Sequence, residues 1–341
     1  MRYLAFFFSS FSIILSCISS AEAFDRGKLF DAYLSVVMVR GYNTSGGLAY
    51  GSGVVVADNK VITNCHVLRA TKQPWISRGE DSYAVTTVQA DRWHDLCLVT
   101  TVQMPFKPAV LGKSTDLKRG QEIVSIGNSN GVPAPLTSSG SVKGMYDADA
   151  GKIIRTSAKF AMGASGSGLF DLDGHLVGIN TFKTAGRGSA FFFSLPIEWL
   201  SILEKQPIET ALPIEGKALW EEDEDKKPFY MQAAVPEARE DWPKLAEVAS
   251  KWTAAEPKSA DAWFELGIAA ENINKVAEAE SAYRRAVDLD TNYADAFVRI
   301  GVIAKEKGDK AEMHRINLKL AEIDPDIAAE YSDLLGCGAQ C

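Results

Sequence analysis

Three stretches far apart in this chain hold the residue types that acyl transfer to a serine hydroxyl requires. Gly163-Ala164-Ser165-Gly166-Ser167-Gly168 sets a serine inside a glycine-rich turn, where missing Cβ atoms let backbone amides point inward without a clash. Val61-Ile62-Thr63-Asn64-Cys65-His66-Val67 places a histidine directly after a β-branched run. Asp91-Arg92-Trp93-His94-Asp95-Leu96-Cys97-Leu98-Val99 places a carboxylate directly before another. Such chemistry needs a neutral imidazole to take the serine proton, a carboxylate to orient the imidazole, and N–H donors for the oxyanion. The order His66, Asp95, Ser165 is one of the chain orders known for that geometry. A glycine-rich turn alone reads equally well as an inert surface turn; it is the company of the other two stretches that gives it meaning.

The elements around these stretches are short strands. From Gly46 to about Pro196, β-branched or aromatic runs such as Val54-Val55-Val56, Ile123 to Ile126, Leu176 to Ile179 and Ala190 to Leu195 alternate with turn residues. Strands this closely spaced predict an all-β barrel or sandwich, because βαβ units would need long helices between them. Ahead of them, Asp25 to Arg40 reads as one helix with an apolar stripe through Leu29, Phe30, Tyr33, Val36 and Val37. Residues 207–228 hold three prolines and the run Glu221-Glu222-Asp223-Glu224-Asp225, which predicts a solvated, Pro-rich and acidic linker.

Beyond the linker the period becomes helical and repeats. Trp263, Phe297 and Tyr331 are spaced by 34 residues, as are Gly267 and Gly301, and Asp290 and Asp324. Each unit reads helix–turn–helix, with turns at Asn272-Ile273-Asn274 and Lys307-Gly308-Asp309, and Pro325 to Leu335 reads as a capping helix. Such hairpins cannot bury their apolar faces singly, so neighbours stack into a solenoid with a concave groove. The segment resembles the tetratricopeptide repeats, whose opening pattern Trp263-Phe264-Glu265-Leu266-Gly267 matches and whose small residue and aromatic stand at Ala279 and Tyr283.

Residues 44–200 resemble the trypsin-like serine peptidases, nearest the bacterial high-temperature-requirement and glutamyl endopeptidase branches. Thr63-Asn64-Cys65-His66-Val67 and Asp95-Leu96-Cys97-Leu98-Val99 match signatures of the first branch, and Gly163-x-Ser165-Gly166-Ser167 is nearer the second. The resemblance implies a multidomain chain: an all-β double barrel of trypsin-like type followed by the all-α repeats. It makes Ser165 the nucleophile, His66 the general base and then acid, Asp95 the orienting carboxylate, and the N–H groups of Gly163 and Ser165 the oxyanion hole. Met162 and Ala164 depart from the residues usual at their places, and Met162 is positioned to alter the turn or occlude the cleft. Lys159, six residues before the nucleophile, falls at or near the base of the specificity pocket, where it would favour acidic side chains. Phe160, Phe182 and Phe193 would instead shape an apolar pocket. No metal or organic cofactor is required. The alternative is a catalytically inactive protease-fold scaffold for protein–protein interaction.

Arg2, the apolar run from Leu4 to Ile18 and Ala21-Glu22-Ala23 predict a signal peptide over residues 1–23 and a periplasmic or secreted product. The run is short and broken by serines, which argues against a retained membrane span. Lipoprotein anchoring at Cys17 is the weaker reading. Residues 24–206 then form the protease domain, 207–228 the linker and 229–341 the repeat domain. An oxidising compartment permits disulfides: Cys65 and Cys97 flank the two catalytic elements, and Cys337 and Cys341 are spaced to close a small ring. Residues 1–220 carry 21 Lys/Arg against 18 Asp/Glu, and residues 221–341 carry 15 against 26. That balance makes a poor phosphate-binding surface and excludes nucleic acid as the expected partner. A polypeptide substrate, and a basic or neutral peptide partner for the repeats, remain.

Overall fold

The computed structural model describes residues 26–186, 190–209 and 212–336. The signal expected over 1–23, with Cys17, and the pair Cys337 and Cys341 lie outside the described residues.

Helix α1 (Arg26–Ser35) stops before the expected end at Arg40. Val36, Val37 and Val39 are buried on both faces of a strand, β1 (Val36–Tyr42), which pairs with β2 (Leu48–Ala57) from Val36↔Val54 to Tyr42↔Leu48. Consecutive β-branched residues suit a strand covered on two sides, and that burial overrides the helical spacing. With β3 (Lys60–Asn64), β4 (Trp75–Arg78), β5 (Asp81–Asp91) and β6 (Leu96–Thr101), the ring closes in the order β1-β2-β3-β6-β5-β4. Helix α2 (Cys65–Arg69) follows β3.

The second barrel repeats this plan. The two-residue strand β7 (Val110–Leu111) leads to β8 (Glu122–Gly127), β9 (Leu136–Ala148), β10 (Gly151–Thr156), β11 (Gly168–Asp171), β12 (His175–Ala185) and β13 (Ala190–Pro196). The ring order is β8-β9-β10-β13-β12-β11, the same connectivity as the first, with β7 added outside β12. Closure leaves neither ring with a free edge to template aggregation. After α3 (Leu200–Leu203), the short β14 (Ile208–Glu209) returns to pair with β5 of the first barrel.

The helical half comprises α4 (Phe229–Ala238), α5 (Trp242–Ala255), α6 (Ala260–Asn272), α7 (Val276–Leu289), α8 (Ala294–Lys307), α9 (Lys310–Ile323) and α10 (Pro325–Leu335). The turns at 272–274 and 307–309 fall between helices, and Gly308 takes the left-handed conformation (φ 71°) that closes α8. Gly267 lies against the Tyr283 ring and Gly301 against Tyr331, where added Cβ atoms would come within 2.4 and 2.3 Å, so glycine lets the helices approach.

The helices dock on the second barrel through apolar and charged contacts. Tyr146 of β9 stacks on Tyr230 of α4 with centroids 4.0 Å apart. Arg119 reaches Asp261 and Asp290 at 3.0 and 2.9 Å and lies over the Tyr293 ring. Arg155 of β10 reaches Glu265 at 2.9 Å and Glu237 at 3.3 Å. Burial, with the Glu237 carboxylate near, lifts the Glu265 carboxyl to about 8 despite the Arg155 guanidinium. One buried apolar cluster runs from Leu29 through Phe193 and Tyr230 to Leu335.

The stretch between the halves differs from the expected solvated linker. Ile214, Ala218 and Leu219 are buried (2, 1 and 6% exposed), and the strap they anchor lies along the first barrel. Glu222 to Lys226 keeps the solvated character that its charge predicts.

Candidate active site

Strand register brings His66 and Asp95 together. β3 and β6 are antiparallel neighbours with Asn64 opposite Leu96, so the residues just after β3 and just before β6 share one end of the barrel. Cys65 and Cys97 are joined by a disulfide, stapling the two elements beside these residues. Asp95 takes the left-handed conformation (φ 54°), uncommon for a side-chain-bearing residue and held by its backbone bonds to Arg92, Cys65 and the Asn64 amide.

The Asp95 carboxylate is 1% exposed and meets three donors. Its Oδ1 accepts from the His66 backbone N–H at 2.8 Å, and its Oδ2 lies 2.6 Å from His66 Nδ1. The third is the indole N–H of Trp220, 3.2 Å from Oδ2. A ring nitrogen this close to a carboxylate carries the proton, which leaves Nε2 as the ring's basic atom. The Trp220 ring also meets His66 edge to face at 5.5 Å.

The turn carrying Ser165 precedes β11 and is cradled by β2 of the first barrel. Ser52 N–H donates to the Ser165 carbonyl, Ser52 Oγ donates to the Gly163 carbonyl, and the Asn128 N–H donates to Ser52 Oγ, at 2.8, 2.8 and 2.9 Å. Gly163 and Gly166 have φ of +91° and +85°. A Cβ on Gly166 would lie 2.2 Å from the Ser52 carbonyl oxygen. Beneath the turn, Asn180 is buried and bonded to Ser125, Ser167, Gly168 and Ser194.

The N–H groups of the turn divide sharply. Those of Ala164, Gly166 and Ser167 donate to the carbonyls of Ala161, Asn180 and Ala164. Among the described residues, those of Gly163 and Ser165 have no such acceptor. The Met162 carbonyl accepts from the Asn130 N–H. The Met162 side chain stands 77% exposed. Among the described residues no hydrogen bond joins the Ser165 hydroxyl to His66 in this arrangement.

The four residues considered for specificity do not form one pocket. Lys159 is exposed, with its backbone N–H on Ser138 Oγ. Phe160 meets Phe192 at 5.0 Å beside the buried Ala164. Phe182 stacks on Phe193 at 4.8 Å and on Trp220 at 5.9 Å, while Phe193 itself belongs to the core. His94 is buried against Trp199 and bonded to Asp91, and hydrogen bonds from His94 hold the Asp91 carboxyl low against the upward push of burial. Sequence reasoning missed Ser52, Asn180 and Trp220; for Trp220 the available signal was a lone tryptophan within an acidic, proline-rich stretch.

Two barrels of equal connectivity, with a histidine–aspartate pair from one beside a glycine-rich serine turn from the other, define the class. The chain carries a double barrel of trypsin-like type followed by helices that match a tetratricopeptide repeat. Residues 51–179 match the family model of the trypsin-like peptidase domain, and residues 260–293 that of the tetratricopeptide repeat. The curated relatives include Serine protease HTR4 of Rattus norvegicus, 31% identical over 181 residues, covering 50% of this chain and 37% of the relative. Serine protease HTRA1 of Xenopus tropicalis is 32% identical over 150 residues, covering 40% and 32%. The chain thus spans roughly a third of the length of these relatives. Among solved structures, the Rv3671c protease of M. tuberculosis in its active form superposes with TM-score 0.48 and 19% identity, covering 63% of this chain and 99% of that one. The HtrA-type protease AlgW with tripeptide gives 0.46 and 23%, covering 52% and 61%.

Proposed function

We propose that this protein is a periplasmic or secreted serine endopeptidase. Ser165 Oγ attacks the scissile carbonyl carbon as His66 Nε2 takes its proton. The resulting oxyanion is held by the N–H groups of Gly163 and Ser165. Collapse breaks the C–N bond, and His66 returns the proton to the departing amine, leaving an acyl ester on Ser165. Water, deprotonated by His66, then attacks the ester; the acid leaves and Ser165 regains its proton. Asp95 keeps the imidazole in the required tautomer and balances its transient charge.

The observation that carries this reading is the pair of unspent N–H groups on the turn. Two neighbouring N–H donors with no acceptor within the chain suit an anion that forms only in the transition state. The absence of a Ser165–His66 hydrogen bond is the one observation favouring the inactive scaffold. Serine–imidazole contacts are often loose without substrate and tighten on binding. Export is supported by the leader-like residues 1–23 and by the Cys65–Cys97 disulfide, which an oxidising compartment maintains. A groove of about 570 Å³ lined by Phe191, Phe264, Ile268, Val298, Arg299 and Val302 supports binding of a partner segment by the helical half.

A fluorophosphonate probe tests the reading. Labelling of the wild type at Ser165, together with cleavage of an unfolded protein, is the expected result. An unlabelled wild type, with its fold intact, makes the scaffold the correct description.

A further inference from the structure

The strap between the barrels and the helices takes part in the site. Its 3₁₀ turn, Leu219–Glu221, is fixed to the helix that carries His66. Arg69, three residues beyond His66 on α2, grips the Glu221 carboxylate with both guanidinium nitrogens, at 2.6 and 2.9 Å. The same guanidinium donates to the Gly216 carbonyl at 2.8 Å, and the Leu219 N–H donates to the Trp93 carbonyl at 2.9 Å. Leu219 is buried. A bidentate Arg–carboxylate pair fixes orientation as well as distance, so Trp220 has a defined place relative to His66.

From that place the indole does two things at once. Its N–H donates to Asp95 Oδ2, the same oxygen that faces His66 Nδ1. Its edge-to-face contact with the imidazole limits rotation of that ring, and its other neighbour, Phe182, limits its own. A carboxylate oxygen shared between an indole and an imidazole cannot swing without breaking one of the two bonds.

We propose that Trp220 is a positioning residue, holding Asp95 and His66 in the orientation that proton transfer from Ser165 requires, and that the strap is therefore part of the active site. This rests on the serine-peptidase reading for its kinetic consequence, though not for its geometry.

The full-length protein tests it with two substitutions. Trp220→Phe keeps an aromatic ring and removes the N–H; Glu221→Gln loosens the strap and leaves Trp220 in place. For each, the rate of fluorophosphonate labelling, kcat and KM on a quenched peptide, Tm, and the proton NMR resonance of the His66 Nδ1–H would be measured. The expected result for Trp220→Phe is a fall of about tenfold in labelling rate and kcat, with KM within about twofold and Tm unchanged. The Nδ1–H resonance should move or broaden. Glu221→Gln should shift both in the same direction by about threefold, and it decides the matter if Trp220→Phe does not fold. A change confined to KM would make Trp220 a wall of the substrate cleft and overturn the proposal, as would kcat and an Nδ1–H resonance equal to wild type. If the wild type itself is not labelled, the peptidase reading fails. The resonance then still decides positioning: displaced in Trp220→Phe it upholds the role, and unmoved it overturns it.

Discussion

The two sides of the cleft are built on different principles. On the first barrel, His66 and Asp95 are held by side-chain chemistry: a disulfide beside them, three donors on one carboxylate, and an arginine clamp on the strap behind. On the second, Ser165 is held by backbone: two positive-φ glycines, carbonyls bonded to Ser52, and a buried asparagine below. Groups that hold a proton in a fixed direction need specific side-chain partners. A turn that presents bare N–H groups needs room where other residues would put a Cβ. The first side should therefore respond to loss of charge and hydrogen bonds, the second to added volume.

The largest effect is expected where the two sides meet. Ser165→Ala should end probe labelling and lower kcat by roughly a millionfold, with an unchanged circular dichroism spectrum. Asp95→Asn tests the side-chain half: it conserves shape but presents the wrong partner to His66 Nδ1, and kcat should fall by about 10⁴-fold in steady-state assays. Retention of a tenth of the activity would show that the carboxylate is not the orienting group. Gly166→Ala tests the backbone half. A methyl group 2.2 Å from the Ser52 carbonyl at φ +85° should lower stability by about 1–3 kcal/mol in urea titrations and cut labelling about a hundredfold. A neutral result would mean that the turn has slack.

The smallest effect separates the sides by pH. Burial pushes the Glu221 carboxyl up, but the Arg69 hydrogen bond, the Ala218 N–H and the Arg69 charge outweigh it and hold it below its ordinary value. Its folded-state pKa is depressed, so the grip on Arg69 is present above the ordinary carboxylate range and is lost as pH falls through the lowered value. Fluorescence should report a more solvated Trp220 as pH falls below the ordinary carboxylate range, and Glu221→Gln should remove that transition. A transition that survives in Glu221→Gln belongs to another group.

Much of the site was legible because its residues are ordered along the chain and sit next to strands. The His66 and Asp95 stretches announce themselves by β-branched runs, and the Ser165 turn by its glycines. What could not be read is whatever depends on distant partners. Val36 to Arg40 kept a helical spacing and became a strand because β2 and β4 cover it. Trp220 lies in a stretch whose composition says solvent, yet Arg69, 151 positions earlier, draws it onto the barrel. Arg119 and Arg155 look like ordinary surface charges until the helices bring Asp261, Glu237 and Glu265 over them.

That last contact bears on how the molecule comes apart. Because a single apolar cluster passes from the barrels into the repeats, the boundary drawn by chain topology is not a boundary of cooperativity. Calorimetry should record one endotherm for both halves, and hydrogen exchange should show α4 to α6 opening with β9 and β10 rather than ahead of them. The Glu265 carboxyl, raised to about 8, takes up a proton on folding, so its share of that common stability is full below about pH 4.5 and fades as pH rises through 8. The helical half thus behaves thermodynamically as an outer layer of the second barrel.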